Sequence, residues 1–312
     1  MNLGISTIYF SREIIKKNIA WADIKDKLNN LDLNSVELNA DIPIEWMPEI
    51  IKDRENNQIN VLSLHNFCPA VENLPEGKFG FNAYSLNSDN KEEQELAVKY
   101  TKRTIDFAKE LDAVVVLHLG EIPTQPTGYE TYKFILQFGI NSQIYPNYKK
   151  SLLESREKNK PKYMQLLYNS MDQIVKYAEE KKVKLAMETR LLPNEIPNFE
   201  EIGEIISHYK SNYLFYWHDF GHVEIQKQMG FTNDHTDYFK TYGKYLIGFH
   251  IHGVKNLIDH YSPHENDINY TKLLNYDNTK NYILEIHSKE NFSMLAKGVN
   301  FIKNILSNGK KQ

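Results

Sequence analysis

Ala113-Val114-Val115-Val116-Leu117-His118 is the stretch on which the reading of the chain turns. Its apolar residues run without alternation, so both faces of the strand they form must be covered, as in a parallel sheet flanked by helices. It follows directly on the clearest helical pattern in the sequence. There Leu96, Ala97, Tyr100, Thr104, Phe107, Ala108 and Leu111 recur at helical spacing, and Asp89 with Glu92 three residues on predicts the capping box. Helix, then buried strand, then a histidine at the strand's end: this unit repeats.

Working outward, further strands are predicted at Leu3–Phe10, Ser35–Leu38, Asn60–His65, Val183–Glu188, Tyr213–Asp219, Leu246–His252 and Asn281–Glu285. Helical patterns separate them: to about Leu31, Ile44–Ile51, from Pro161 onward, Phe199–Tyr209, Asp234–Tyr245, and Met294–Leu306 as the last. Eight such units with no linker predict an α/β fold, a single (β/α)8 TIM barrel domain over residues 1–312. An open doubly wound sheet is the alternative, but no glycine-rich phosphate loop follows the first strand. Residues 121–160 break the rhythm with Pro123, Pro126, Gly128, Gly139 and Pro146. They read as a long irregular insertion after the fourth strand, a lid or rim element at the site, or a dimer contact through its tyrosines.

Bulk composition narrows the function classes. The 312 residues carry a net charge of −4, with 41% hydrophobic and 25% charged residues. That balance gives no pull toward duplex DNA or an anionic membrane. No apolar run reaches the roughly 20 residues of a membrane span. The single cysteine, Cys68, precludes an intrachain disulfide, and Met1–Ser6 lacks a signal-peptide pattern, so a soluble cytoplasmic protein is expected.

Chemistry collects at the strand ends, where barrels build their sites. There stand His65, His118, Glu188, Asp219, His250 and Glu285, with His222 and His260 just beyond. Nine of the eleven histidines fall at or after strand ends. A lone histidine there is commonly structural, and one glutamate could pair with a lysine or arginine. The convergence carries the argument. Asp219 ends the buried aromatic run Tyr213–Trp217, and carboxylates and imidazoles crowded at one barrel mouth need a shared cation. Mixed His and carboxylate ligands suit zinc or manganese first, with cobalt, iron or magnesium as further candidates.

His65, His118-Leu119-Gly120, Glu188, Asp219 with His222, His250, His260 with Glu265-Asn266-Asp267-Ile268, and Leu284-Glu285 together resemble the xylose-isomerase-like TIM barrels. That superfamily includes sugar and sugar-phosphate isomerases and epimerases, and AP endonucleases of the endonuclease IV type. The isomerase branch implies one divalent metal held by Glu188, Asp219, His250 and Glu285. Glu188 and Glu285 would then act as catalytic acid and base through an enediolate, with Arg190, His222 and His252 contacting a sugar or sugar phosphate. The phosphodiesterase branch implies extra zinc ligands at His65, His118, His222 and His260. There Asp259 stands one residue away from the family's aspartate, whose position Ile258 occupies, so its carboxylate points elsewhere unless the loop rearranges, in which case Asp259 joins His65, His118, His222 and His260 as an additional metal or substrate ligand. The expected function is therefore a metal-dependent isomerase or epimerase. The alternatives are a multinuclear zinc phosphoesterase on a small non-DNA substrate and a non-catalytic, metal-stabilised binding protein. A homo-oligomer is compatible with each.

Overall fold

The computed structural model describes residues 2–74, 76–265, 268–274 and 280–308. Asn266 and Asp267, part of the resemblance above, lie outside the described residues. The strands are β1 (Asn2–Ser6), β2 (Ser35–Leu38), β3 (Asn60–His65), β4 (Val114–Leu117), β5 (Leu185–Glu188), β6 (Leu214–Asp219), β7 (Leu246–Ile251), the hairpin strands β8 (Gly253–Lys255) and β9 (Ile258–Tyr261), and β10 (Asn281–Leu284). Eight of them close into a parallel barrel in the order β1-β10-β7-β6-β5-β4-β3-β2, and β8 and β9 form a separate antiparallel pair.

Alternation along each strand divides the core. Leu62, Val114, Val116, Ala186, Trp217 and Ile283 fill the barrel interior. Val115, Leu117, Leu185, Met187 and Tyr216 pack outward against the helices. Side chains two apart share a face, so His118, Glu188, Asp219 and Glu285 follow Val116, Ala186, Trp217 and Ile283 inward. The core thus aims the site. Gly248 leaves room for the interior tryptophan, because a Cβ there would meet Trp217 Cζ3 at 2.2 Å.

Several local expectations are corrected. The first strand stops at Ser6, whose Oγ accepts from Ile8 N, and Thr7–Phe10 turns into a 3-10 helix. The helix Lys91–Leu111 is capped by Asn90, which accepts from Glu92 and Glu93 N–H, while Asp89 pairs with Lys162. Residues 121–160 are not a long irregular loop. Thr127 and Glu130 form a capping box opening the helix Gly128–Phe138, and Gly139, at φ 76°, closes it. Pro146 stands in the first turn of the helix Tyr145–Lys181, where a missing N–H costs nothing. That helix runs on through Pro161. Its apolar face, including Leu152, Met164, Leu167, Met171 and Ile174, is buried on both sides of the proline. Arg156 adds a buried bidentate pair to Glu201, at 2.7 and 2.9 Å. Packing overrides the local cost of the proline. Among the described residues no helix is long and apolar enough to cross a membrane.

Candidate metal centre and active site

A cavity of about 270 Å³ opens at the C-terminal ends of the strands. His65, His118, Glu188, Arg190, His222, Asp259, His260 and Glu285 all line it. At its floor the His250 Nδ1 lies 2.6 Å from Glu188 Oε1, 3.1 Å from Glu285 Oε2 and 3.7 Å from Asp219 Oδ2. One N–H cannot serve three carboxylates, and Glu285 Oε2 has no hydrogen-bond partner. Burial pushes the Glu285 carboxyl well above the usual range; His250 opposes this, while Glu188, Glu37 and Asp219 reinforce it. Burial would raise Glu188 too, but Arg190 and His118 hold it well below. Carboxylates forced apart in this way are relieved by a shared cation.

The residues fit such a cation. Glu188, Asp219, His250 and Glu285 each offer a ligand atom, and these atoms lie within 4.8 Å of one another in a fully buried group. Three carboxylates and one imidazole suit a divalent metal. The other ring nitrogen of His250 lies 3.0 Å from Glu37 Oε2, which also accepts from Ser63 Oγ at 2.7 Å. Glu37 is wholly buried and fixes the ring so that Nδ1 faces the centre. Sequence reasoning missed Glu37. Its signal was a charged residue inside the four-residue strand Ser35-Val36-Glu37-Leu38.

Asp219 is positioned by local folding. Its Oδ1 caps the helix Phe220–Gln228 by accepting from His222 N–H at 2.7 Å. His252 Nδ1 accepts from His260 N–H, so Nε2 carries the proton it donates to Asp219, 3.0 Å to Oδ1 and 3.1 Å to Oδ2. His252 is fully buried behind Asp219, not on the cavity wall. Gly221 makes that approach possible, since a Cβ there would meet His252 Cε1 at 2.0 Å. It sits in the first turn of the helix Phe220–Gln228.

Two further groups gather among the described residues: His65, His118 and Glu188, and His222, His252 and His260. In the first, the Arg190 guanidinium is already engaged. It bonds Glu188 Oε2 and the His118 Nε2, and its Nε and second amino group donate to Glu195 Oε1 at 3.0 and 2.8 Å. In the second, the loop around Asp259 is rearranged. Asn256, Leu257 and His260 adopt positive φ, and the hairpin register slips between Gly253 and Lys255. This rotation brings Asp259 Oδ1 to 3.2 Å from His260 Nδ1 and Oδ2 to 3.8 Å from His222 Nε2. His222 Nδ1 donates to Thr189 O at 3.0 Å, leaving Nε2 toward the cavity.

Two tyrosines tie the insertion to neighbouring segments. Tyr132 Oη donates to Leu257 O at 2.6 Å, and Tyr145 Oη to Met229 O at 2.5 Å. No residue from 122 to 160 lines this cavity.

Strand ends of a closed parallel barrel carrying buried carboxylate and imidazole clusters define a class of proteins. The chain belongs to the xylose isomerase-like TIM barrel family, whose profile matches residues 26–305. Among solved structures it resembles a D-tagatose 3-epimerase-like protein at TM-score 0.65 and 17% identity, over 100% of this chain and 99% of that one. It also resembles an L-ribulose 3-epimerase, at TM-score 0.64 and 12% identity, over 99% and 96% of the two chains. A Thermus thermophilus protein soaked with zinc chloride matches at TM-score 0.59 and 16% identity, over 99% of both chains. No curated protein matches the sequence. At these identities the likeness is one of fold.

Proposed function

We propose that this protein is a divalent-metal-dependent isomerase or epimerase acting on a sugar. The observation that carries the reading is the buried four-residue group of Glu188, Asp219, His250 and Glu285, with both glutamates on the wall of the cavity. A divalent cation held by these four would supply Lewis acidity toward a carbonyl and its neighbouring hydroxyl. Glu188 and Glu285 reach the cavity from β5 and from the end of β10. One removes a carbon-bound proton and the other returns a proton to the product. His222, with Nδ1 pinned to Thr189 O, offers Nε2 to a substrate oxygen. His252 and Glu37 hold Asp219 and His250 in place. The insertion shapes the rim by bracing the β8–β9 hairpin through Tyr132. The folds of the epimerases named above support the same class.

A second reading, a multinuclear zinc phosphoesterase, is favoured by one observation: the turned hairpin puts Asp259 between His222 and His260. Against it, the permanently charged Arg190 lies in the group of His65, His118 and Glu188, where it would repel a dication. Elemental analysis of protein purified without chelator decides between them, combined with solvent-deuterium exchange into a panel of ketoses and aldoses. One metal per chain and exchange of a carbon-bound hydrogen are expected. Two or three metals per chain, with cleavage of a chromogenic phosphodiester and no exchange, would reverse the order.

A further inference from the structure

Beside the first cavity lies a second, of about 290 Å³. Phe81, His118, Arg190, Leu192 and Glu195 belong to the walls of both. Each alone sits just below the roughly 300–1,000 Å³ of ordinary small-molecule sites, so a ligand filling both has two parts.

Three features define the second part. The first is aromatic surface. Phe67, Phe81 and Tyr84 line the cavity. Tyr84 meets Phe67 edge to face at 6.2 Å and is backed by Tyr100, stacked at 5.5 Å, which fixes its ring. The second is an unpaired acceptor. Asn66 lines the cavity and is 2% exposed; its Nδ2 donates to Thr101 Oγ1 at 2.8 Å, while Oδ1 has no partner. Oδ1 itself is sealed beneath the cavity wall, so a ligand hydroxyl supplies its missing donor only by pressing into that wall. The third is charge. The lysine and arginine residues lining the two cavities are Arg190 and Lys78. Arg190 is committed to Glu188 and Glu195, and Lys78 shares its wall with Glu121. No cluster of uncommitted cations awaits a phosphate.

We propose that the second cavity receives an uncharged, hydroxyl-bearing ring joined to the sugar that reacts in the first. The substrate class is then an unphosphorylated reducing disaccharide, or a glycoside whose reacting ring carries a carbonyl, not a free or phosphorylated monosaccharide. This rests on the sugar isomerase or epimerase reading of the first cavity.

The test is calorimetric titration of the metal-loaded, full-length protein with glucose, glucose 6-phosphate and the reducing disaccharides cellobiose, maltose and lactose. At least one disaccharide is expected to bind about tenfold more tightly than glucose, the worth of one aromatic contact with a hydrogen bond. Glucose 6-phosphate is expected to bind no better than glucose. Asn82 is exposed at the cavity edge, so Asn82→Trp fills the second cavity without touching the core; it should erase the disaccharide advantage. Tyr84→Ala should erase most of it, with metal content and Tm reporting whether each variant keeps its fold. Equal affinity for glucose and every disaccharide, tighter binding of glucose 6-phosphate, or no effect of Asn82→Trp overturns the subsite alone. Failure of the metal-loaded protein to bind any of the sugars overturns the sugar reading, and the subsite with it.

Discussion

Glu37→Gln isolates the least obvious part of the centre. Glutamine keeps the shape and can still accept from the ring N–H of His250 and from Ser63 Oγ, 3.0 and 2.7 Å away in the native protein. What it removes is the carboxylate charge that makes Nδ1 of His250 a stronger donor of electrons toward a cation. A carboxylate behind a ligating histidine is typically worth 10- to 100-fold in metal affinity, or about 1.4–2.7 kcal/mol. Glu37 is wholly buried, so solvent does not screen the loss, and the upper half of that range is expected. The assay is zinc or manganese titration against a competing chelator, paired with thermal unfolding of the metal-free form. The metal-free variant should be less stable than wild type at neutral pH, because burial is outweighed by His250, His65 and Ser63, which hold the Glu37 carboxyl below its ordinary value and so favour its charge. Affinity within twofold of wild type would refute the reasoning, whatever the stability.

Three other outcomes follow from the packing. Gly221→Ala should displace His252 from Asp219, because the new Cβ falls 2.0 Å from the imidazole; chelator competition should show weakened metal binding while circular dichroism shows an intact barrel. Arg156→Met leaves Glu201 buried without its bidentate partner, and urea unfolding should register a loss of about 3–5 kcal/mol. The Glu224 carboxyl, raised by burial but drawn down further by His235, Gln228 and Lys227, is held at about 2. Its depressed value means its stabilisation is complete above the ordinary carboxylate range near 4.5 and is lost as pH falls from there toward 2. Glu224→Gln should therefore flatten the stability–pH curve in that window, and an unchanged slope would contradict the assignment.

How far the sequence carried this picture depends on periodicity. The inward placement of His118, Glu188, Asp219 and Glu285 was legible because each ends an apolar strand two residues after an interior side chain. Glu37 was not, because the register between β2 and β3 shifts between Val36 and Glu37 and hides its parity. The turn that aims Asp259 was hidden for a related reason. Leu257 and His260 take left-handed backbone that non-glycine residues seldom adopt, and no local pattern announces that turn. The insertion was misread because its prolines and glycines mark the ends of helices, and because Pro161 is tolerated by burial far along the chain. Arg190 shares the strand parity of Glu188, which suits a substrate contact or a structural ion pair alike, and the structure pairs it with both Glu188 and Glu195.

The bond from Tyr132 Oη to Leu257 O joins the helix Gly128–Phe138 to the hairpin that carries Asp259 and His260. The insertion and the hairpin are therefore one mechanical unit. Grafting the insertion of one relative onto another would carry across half of a joint, and the hairpin would have to travel with it. Variation in the two segments should consequently be inherited together, and a chimera that separates them should be read out in the geometry of the histidines, far from the exchanged residues.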